Sequence, residues 1–370
     1  MHWRDLSMSV IAFHAPMKPP DDPVPSGDRT MARGLIAALN GHSIGRAHVA
    51  SRFRSRDGVG SQTVQESILG QAELEIKRLR AGPRPDLWLT YHSYYKAPDL
   101  LGPRLTRQWK IPYAIVEGTR ASSRLQGPYA RFARAAEDAC DAADVIFYLT
   151  EYDREALERD RIPGQNVLRL RPFLARETLR PWRPPPPSDT FRLLACAMFR
   201  HGDKMASYRA LASALALVRV ENWSLTIIGD GPAQAEAKTL FSAFGDKVGF
   251  AGALEPDAIA EQFRNSDLLV WPGVGEAFGM IYLEAQADGC PVLAEDRHGV
   301  RDVVRDGGFL VPQGDPAAYA EAIDDLAENR ERRLAAGRKG HDRVAQEHLL
   351  PAARATLMAG LAPLLAGRSR

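Results

Sequence analysis

The sequence has little cysteine and no long uninterrupted hydrophobic segment. Its three cysteines, Cys140, Cys196 and Cys290, lie far apart and match neither a disulfide framework nor metal-ligand spacing. No apolar stretch approaches the roughly 18 residues that a membrane-spanning helix needs. The apolar run near the N-terminus is also too short for a secretory signal peptide. These absences predict a cytoplasmic protein with reduced thiols. We also expect no metal ion and no cofactor.

Length and charge are the next constraints. A chain of 370 residues exceeds the usual size of one hydrophobic core, so we expect two domains. The net charge of +2 is uneven: residues 1–180 hold 27 Lys+Arg and 21 Asp+Glu (+6), which leaves 21 and 25 (−4) for the rest. A basic first half would suit an anionic acceptor or a peripheral membrane contact. A solvated arginine-rich surface explains the excess equally well, and we expect no nucleic-acid partner.

Apolar runs typical of strands alternate with amphipathic stretches typical of helices, which predicts parallel sheets covered by helices. Six such runs lie in the first half, at 9–15, 46–51, 86–92, 113–118, 144–150 and 166–174. Six more lie in the second half, at 191–199, 224–230, 247–252, 267–272, 290–296 and 308–312. The pattern favours two doubly wound domains. Because ligands of such sheets bind at the carboxyl ends of the strands, two facing domains would leave a cleft between them.

A proline-rich segment marks the predicted boundary between the domains. Four consecutive prolines, 184–187, cannot continue a helix or a central strand. We predict an N-terminal domain over 1–179, a stiff linker over 180–190 and a C-terminal domain over 191–350. The last segment, 351–370, is expected to form a helix that packs back on the first domain.

The most informative segment runs from Trp271 to Val304. A short apolar strand ends in a glycine-rich turn, and a helix opens near Gly279 with Glu276 just before it and Glu284 inside it. The start of a helix offers unpaired N–H groups that suit phosphate, and carboxylates on either side suit hydroxyl groups. Eight helical residues would span roughly 12 Å, about the length of a diphosphate with half a sugar at each end. The alternative is that Glu276 caps the helix and Glu284 is a solvated helical residue.

A further turn of the second half carries two cations. Arg200 and Lys204 follow a strand and precede a helix, where two cations would neutralise a leaving diphosphate; two surface cations are the alternative.

The glycines of the turn before Gly279 come close to a dinucleotide fingerprint, but the position of its third glycine is occupied by Phe278. The turn also falls late in its domain, so a dehydrogenase is not favoured.

In the first half, candidate ligand contacts follow three strands. Gly27 opens a helix after a long proline-rich loop, where backbone would approach a ligand, although Asp28 as a simple helix cap is the alternative. His92 follows the third strand, where a lone histidine is more often structural than functional. Three further candidates for acceptor or phosphate contacts, Glu117, Arg120 and Arg124, follow the fourth strand.

The second half resembles the retaining GT-B glycosyltransferases of family four, also called glycosyl transferases group 1. The resemblance covers residues 191–330 and lies in the segment WPGVGEAFGMIYLEAQADGCPVLAE, the basic pair, the GDGP turn at 229–232 and Phe250 to Gly252. It implies that Glu276 contacts the donor sugar and Glu284 the ribose, while Arg200 and Lys204 hold the diphosphate. Backbone groups of Phe278, Gly279 and Met280 would meet the sugar and phosphates. Gly252, Ala253 and Leu254 would flank the base, and Gly27 would approach the diphosphate.

The resemblance also implies a fold and a reaction. We expect two Rossmann-like domains and a metal-independent transfer, with retained configuration, of a sugar from a UDP- or GDP-linked donor to a sugar, glycolipid or small-molecule acceptor. Many members of the family have a histidine where this chain has Glu117, so that role is not carried over to this residue. A catalytically inactive nucleotide-sugar-binding subunit is the alternative.

Overall fold

The alternating pattern folds into two parallel sheets, one in each of two compact units. In the computed structural model, which describes residues 9–40 and 45–366, unit 1 comprises residues 1–175 and 350–370 and unit 2 comprises residues 176–349. The proline-rich segment therefore falls within unit 2, near its beginning. No helix of the described ranges combines the length and apolar character needed to cross a membrane.

Unit 1 is built on a sheet whose described strands follow the order β2-β1-β3-β4-β5-β6, all parallel. These strands are β1 Val10–His14, β2 Arg46–Ser51, β3 Leu87–Ser93, β4 Tyr113–Gly118, β5 Val145–Tyr148 and β6 Asn166–Arg169. The helices between them are α1 Gly27–Asn40, α2 Gln62–Arg80, α3 Gly102–Trp109, α4 Ala130–Ala142 and α5 Glu151–Arg159, with a 3₁₀ turn at Ser122–Arg124. The central strands are buried on both faces, which explains their continuous apolar runs.

Unit 2 has a second parallel sheet, of order β12-β11-β10-β7-β8-β9 within the described residues. Its strands are β7 Phe191–Cys196, β8 Trp223–Ile228, β9 Val248–Gly252, β10 Leu268–Val270, β11 Val292–Glu295 and β12 Gly308–Val311. Its helices are α6 Asp203–Leu215, α7 Gln234–Phe241, α8 Pro256–Asn265, α9 Met280–Ala287, α10 His298–Val304, α11 Pro316–Glu328 and α12 Arg330–Glu347. Two 3₁₀ segments, Ser242–Lys247 and Arg305–Gly307, complete it.

The last helix, α13 Leu350–Ala366, returns to unit 1 and packs against α1 and β6. Pro351 is its second residue, a position where the missing N–H group costs no helical hydrogen bond. Leu357 and Leu361 are fully buried. Gly360 lies so close to Phe147 that a side chain there would collide with the ring. Unit 1 is therefore assembled from two separate stretches of chain.

Candidate functional site

The order of strands in unit 2 changes direction between β7 and β10. From β7 the chain adds strands outward to β8 and β9, and from β10 it adds them the other way, to β11 and β12. Ligands of open parallel sheets bind at such a switch point, outside the carboxyl ends of the two strands. The loops that follow β7 and β10, residues 197–202 and 271–279, therefore meet at one edge of the sheet.

A charged pair joins these two loops. The Lys204 Nζ, at the start of α6, forms an ion pair with Glu276 Oε1 although 72 positions separate them. Trp271 Nε1 donates a hydrogen bond to the same oxygen at 3.2 Å, and Lys204 Nζ lies 5.6 Å from the centre of the Trp271 ring. Both charged side chains keep some solvent exposure, 32% for Lys204 and 16% for Glu276. The pair is accessible to a ligand and offers a cation and a carboxylate side by side.

The loop between β10 and α9 is shaped by glycine and by Tyr282. Gly279, which precedes α9, has φ +75°, and a Cβ there would lie 2.5 Å from the Tyr282 ring. Gly273 also has a positive φ and packs against the Tyr282 hydroxyl, which donates to the Trp271 carbonyl at 3.0 Å. No side chain caps α9. The Tyr282 N–H donates to the Gly279 carbonyl at 3.1 Å, and the N–H groups before it in the helix are left for another partner.

Glu284 lies one turn inside α9. Burial raises the pKa of its carboxyl to about 7, while Arg176 opposes the rise and Asp288 adds to it. Among the described residues, the Glu284 carboxylate has no hydrogen-bond partner. A half-buried carboxylate with a raised pKa is more typical of a binding site than of a solvated helix face.

The other residues predicted on the donor side also belong to unit 2. Arg200 lies between β7 and α6, and its side chain is half-buried. Phe278 and Met280 are buried on either side of Gly279. Gly252 ends β9 with φ +71°, Ala253 is exposed and Leu254 is half-buried. Their predicted roles remain proposals.

In unit 1 the start of α1 is not capped by Asp28, which was the alternative raised by the sequence. The Ser26 hydroxyl accepts a hydrogen bond from the Arg29 N–H at 3.2 Å, so Ser26 caps the helix and Asp28 does not. Gly27 has no left-handed φ, and a Cβ there would meet nothing within 4 Å. The fold therefore does not itself require glycine at this position.

Asp28 instead pairs with His92. His92 Nδ1 donates to Asp28 Oδ1 at 2.8 Å and lies 3.8 Å from Glu117 Oε2. The two carboxylates raise the pKa of His92 to about 9 against the opposing effect of burial. Burial, with smaller contributions from Asp28 and Asp153, raises the pKa of Glu117 to about 7 although His92 opposes it. The sequence prediction brought His92 and Glu117 to one edge, but it missed Asp28 as their partner.

His92 and Glu117 also share an unusual backbone. They lie at corresponding positions between the register pairs Tyr91–Val116 and Ser93–Gly118 of β3 and β4, and each has φ +60°. Left-handed backbone is costly for side chains of this kind and is concentrated at functional sites. The two strands therefore kink together where the polar side chains lie.

The two arginines predicted beside Glu117 lie in different surroundings. Arg120 is 4% exposed, and its guanidinium bonds to Glu137 at 2.7 Å and Asp141 at 2.6 Å on α4. These bonds engage both terminal nitrogens within the fold, whereas the buried Nε has no partner among the described residues, and a ligand contact of Arg120 stays a prediction. Arg124 is exposed, with its guanidinium 5.2 Å from the centre of the Tyr95 ring. Within residues 9–40 and 45–366, no group of three or more potential ligand side chains is arranged to hold a metal ion.

Solved structures place this fold among the GT-B proteins, as the sequence predicted. The chain resembles sucrose-phosphate synthase of Thermosynechococcus elongatus with a TM-score of 0.74 and 18% identity, over 97% of this chain and 100% of that one. It also resembles the Anabaena protein HepE, solved in complex with UDP, with a TM-score of 0.70 and 14% identity, over 96% of this chain and 100% of that one. The prediction of two Rossmann-like domains is confirmed.

Sequence comparison adds the family. Residues 199–343 match the model of the glycosyl transferases group 1 family. A D-inositol 3-phosphate glycosyltransferase of Streptomyces scabiei is 29% identical over 283 residues, which cover 67% of this chain and 62% of that protein. A phosphatidyl-myo-inositol mannosyltransferase of Mycobacterium leprae is 38% identical over 119 residues, 30% of this chain and 32% of that protein. The match thus spans less than two thirds of these relatives.

Proposed function

We propose that this protein is a retaining hexosyltransferase that moves a sugar from a nucleoside-diphosphate sugar to an acceptor hydroxyl without a metal ion. The observation that carries the proposal is the Lys204–Glu276 pair at the switch point of unit 2, beside the uncapped start of α9. The family match over 199–343 supports transfer chemistry, and the UDP complex of HepE supports a nucleotide donor.

Each proposed role follows from the chemistry of the side chain. Lys204 and Arg200 would hold the diphosphate, and the first N–H groups of α9 would add fixed dipoles to it. Glu276 would accept hydrogen bonds from donor sugar hydroxyls, and Glu284 would accept them from the ribose. Gly252 to Leu254 would flank the base. Gly27 would allow backbone to approach the donor.

In the proposed reaction the bond between the anomeric carbon and the diphosphate oxygen breaks as the acceptor oxygen bonds to the same carbon on the same face. The acceptor proton passes to the leaving phosphate oxygen. Negative charge grows on the diphosphate in the transition state, so Lys204, Arg200 and the helix start would stabilise that state more than the ground state. The fixed cations Lys204 and Arg200 would neutralise the charge of the leaving diphosphate, which a divalent metal ion does in other transferases.

The proposal is tested with purified protein and a panel of nucleotide-sugars carrying different bases and sugars. We expect one class of donor to raise the unfolding temperature, and we expect its sugar to be transferred with an unchanged rate in EDTA. NMR of the product would give its anomeric configuration. Inverted product would refute retention, and loss of transfer in EDTA would refute metal independence. Donor binding without hydrolysis or transfer would favour the inactive subunit instead.

A further inference from the structure

Unit 1 has its own switch point. Its sheet changes direction between β1 and β3, and β4 follows β3. Asp28 comes from the helix that follows β1, His92 from the end of β3 and Glu117 from the end of β4. The three side chains, here called the acidic triad, therefore occupy the crevice where a parallel sheet binds ligands. They do so independently of the Lys204–Glu276 pair of unit 2.

The acidic triad contains an unsatisfied group. Glu117 is 7% exposed, and its Oε2 has no hydrogen-bond partner within the described structure. The Tyr91 hydroxyl bonds to the Glu117 carboxylate but leaves this oxygen without a partner, and His92 Nδ1, 3.8 Å from it, is directed to Asp28. A buried acceptor oxygen without a donor is costly, because it has lost its bonds to water without replacing them. A ligand with a donor group would restore the missing bond.

The charges of the acidic triad select the kind of donor. The three carboxyls of Asp28, Glu117 and Asp153 outnumber the two cations that act on them, the imidazolium of His92 and the ammonium of Lys18 near Asp28. Asp153 itself is engaged by the hydroxyls of Thr119 and Thr150. A phosphate or carboxylate here would meet like charge, and a hydroxyl would supply a donor but no charge. A protonated amine supplies both.

Access and shape agree with a small polar ligand. The side chains of His92 and Asp28 remain 17% and 25% exposed, so the acidic triad is open on one side. The half-buried Tyr94 ring lies beside the imidazole, 4.8 Å between centres. Tyr95 follows at 5.5 Å and Tyr129 at 5.1 Å from Tyr95. Such rings offer apolar faces on which a sugar ring can stack.

We propose that Asp28, His92 and Glu117 form the acceptor subsite of this transferase and select an acceptor that carries a protonated amine, such as an amino sugar. This inference rests on the proposed sugar transfer for its biological meaning. The binding preference itself belongs to unit 1 and can be measured without a donor.

The test measures the affinity of the full-length protein for three sugars that share one ring. These are glucosamine, glucose and glucose 6-phosphate, which present an amine, a hydroxyl and a phosphate. We expect glucosamine to bind about tenfold more tightly than glucose, and glucose 6-phosphate to bind most weakly. Glu117→Gln and Asp28→Asn should each reduce the preference for the amine to about twofold or less. The exposed Glu66→Gln should leave it unchanged.

Three outcomes would overturn the inference: equal or tighter binding of glucose or its phosphate, a preference that survives both substitutions, or no binding of any of the three at millimolar concentration. Circular dichroism of each variant would show that it is folded. UDP titration of the same samples reports on unit 2 separately. In the wild-type protein, UDP binding without any preference for the amine would refute this inference alone, whereas an amine preference without UDP binding would refute only the proposed donor.

Discussion

At the scale of single residues, the Lys204–Glu276 pair makes an asymmetric prediction. Lys204→Met should weaken UDP binding about tenfold to a hundredfold because a diphosphate contact is lost. Glu276→Gln should leave UDP binding within about threefold or tighten it, because the lysine is released from its partner. The same variant should lower transfer at least about a hundredfold if Glu276 grips the sugar. Calorimetry and a transfer assay measure the two effects.

Matched controls are available in unit 2. Lys339, on α12, and Glu321, on α11, are exposed, so Lys339→Met and Glu321→Gln should change neither UDP binding nor transfer. Equal loss of UDP affinity in Glu276→Gln and Lys204→Met would contradict separate roles for the two residues.

Glu284 gives a prediction about pH and stability. Its folded pKa of about 7 lies above the ordinary value of 4.5, so the folded state binds the extra proton. The stability associated with that proton is present below the ordinary pKa and is lost as the pH rises through 7. Glu284→Gln should therefore raise the unfolding temperature more near pH 8 than near pH 5, measured by thermal denaturation. An equal gain at both pH values would show that the carboxyl titrates normally.

The Glu284 carboxyl should also make UDP binding depend on pH. A carboxylate accepts hydrogen bonds from hydroxyls with both oxygens, whereas a protonated carboxyl has less capacity to accept them. UDP affinity should therefore increase as the pH rises through about 7. In Glu284→Gln this part of the dependence should disappear. Titrations of wild type and variant over that range would decide the point.

At the scale of elements, two glycines should behave in opposite ways. Gly279→Ala combines a left-handed φ with a collision against Tyr282, so it should cost about 1–3 kcal/mol of stability. Gly27→Ala meets open space in an ordinary backbone, so its stability should stay within about 0.5 kcal/mol of wild type. Urea denaturation measures both values.

The functional effect of Gly27→Ala separates the two readings of that helix start. If backbone approaches the donor there, the added methyl group should raise the donor KM while the free energy of unfolding is unchanged. Unchanged KM would mean that no ligand comes close to Gly27, and the proposed contact would be withdrawn.

The elements themselves could be predicted well from the sequence. Each strand of the described structure overlaps an apolar run, and the runs of the central strands are continuous because those strands are buried on both faces. The helix predicted to open near Gly279 begins at Met280. Strand ends were less accurate. The run at 166–174, for example, forms a strand only over Asn166–Arg169.

Pairings between distant residues could not be predicted in the same way. Lys204 contacts Glu276 only because β7 and β10 are neighbours in the sheet. The spacing of apolar residues predicts where strands lie but not which strands are neighbours. The alternative that Asp28 caps its helix is wrong, because Ser26 accepts the capping hydrogen bond instead. Arg120 had the same strand-end position as Glu117, but its side chain turns to α4. In each case the tertiary partner decided where the side chain lies.

At the scale of the whole molecule, the return of α13 to unit 1 predicts the effect of truncation. A chain ending at Leu349 would lack the buried residues Leu357 and Leu361. Each buried leucine is worth about 1.5–3 kcal/mol, against a typical domain stability of about 5–15 kcal/mol. Unit 1 should therefore be unfolded or strongly destabilised in this truncated chain, and hydrogen exchange would show which strands lose protection.

Unit 2 offers the matching control. Its residues, 176–349, are continuous in the chain and include all the proposed donor contacts except Gly27. We expect a protein of this range to fold and to retain UDP binding, which calorimetry would test. Failure of the isolated unit to fold would show that it depends on unit 1.

The discontinuous unit 1 also has a consequence for synthesis on the ribosome. Domains usually fold in the order in which they are made, but the strands of unit 1 emerge first and their closing helix emerges last. Unit 2 is fully translated before Leu350 leaves the exit tunnel. The half made first is thus the half completed last, and until then the apolar residues that α13 covers stay exposed to water.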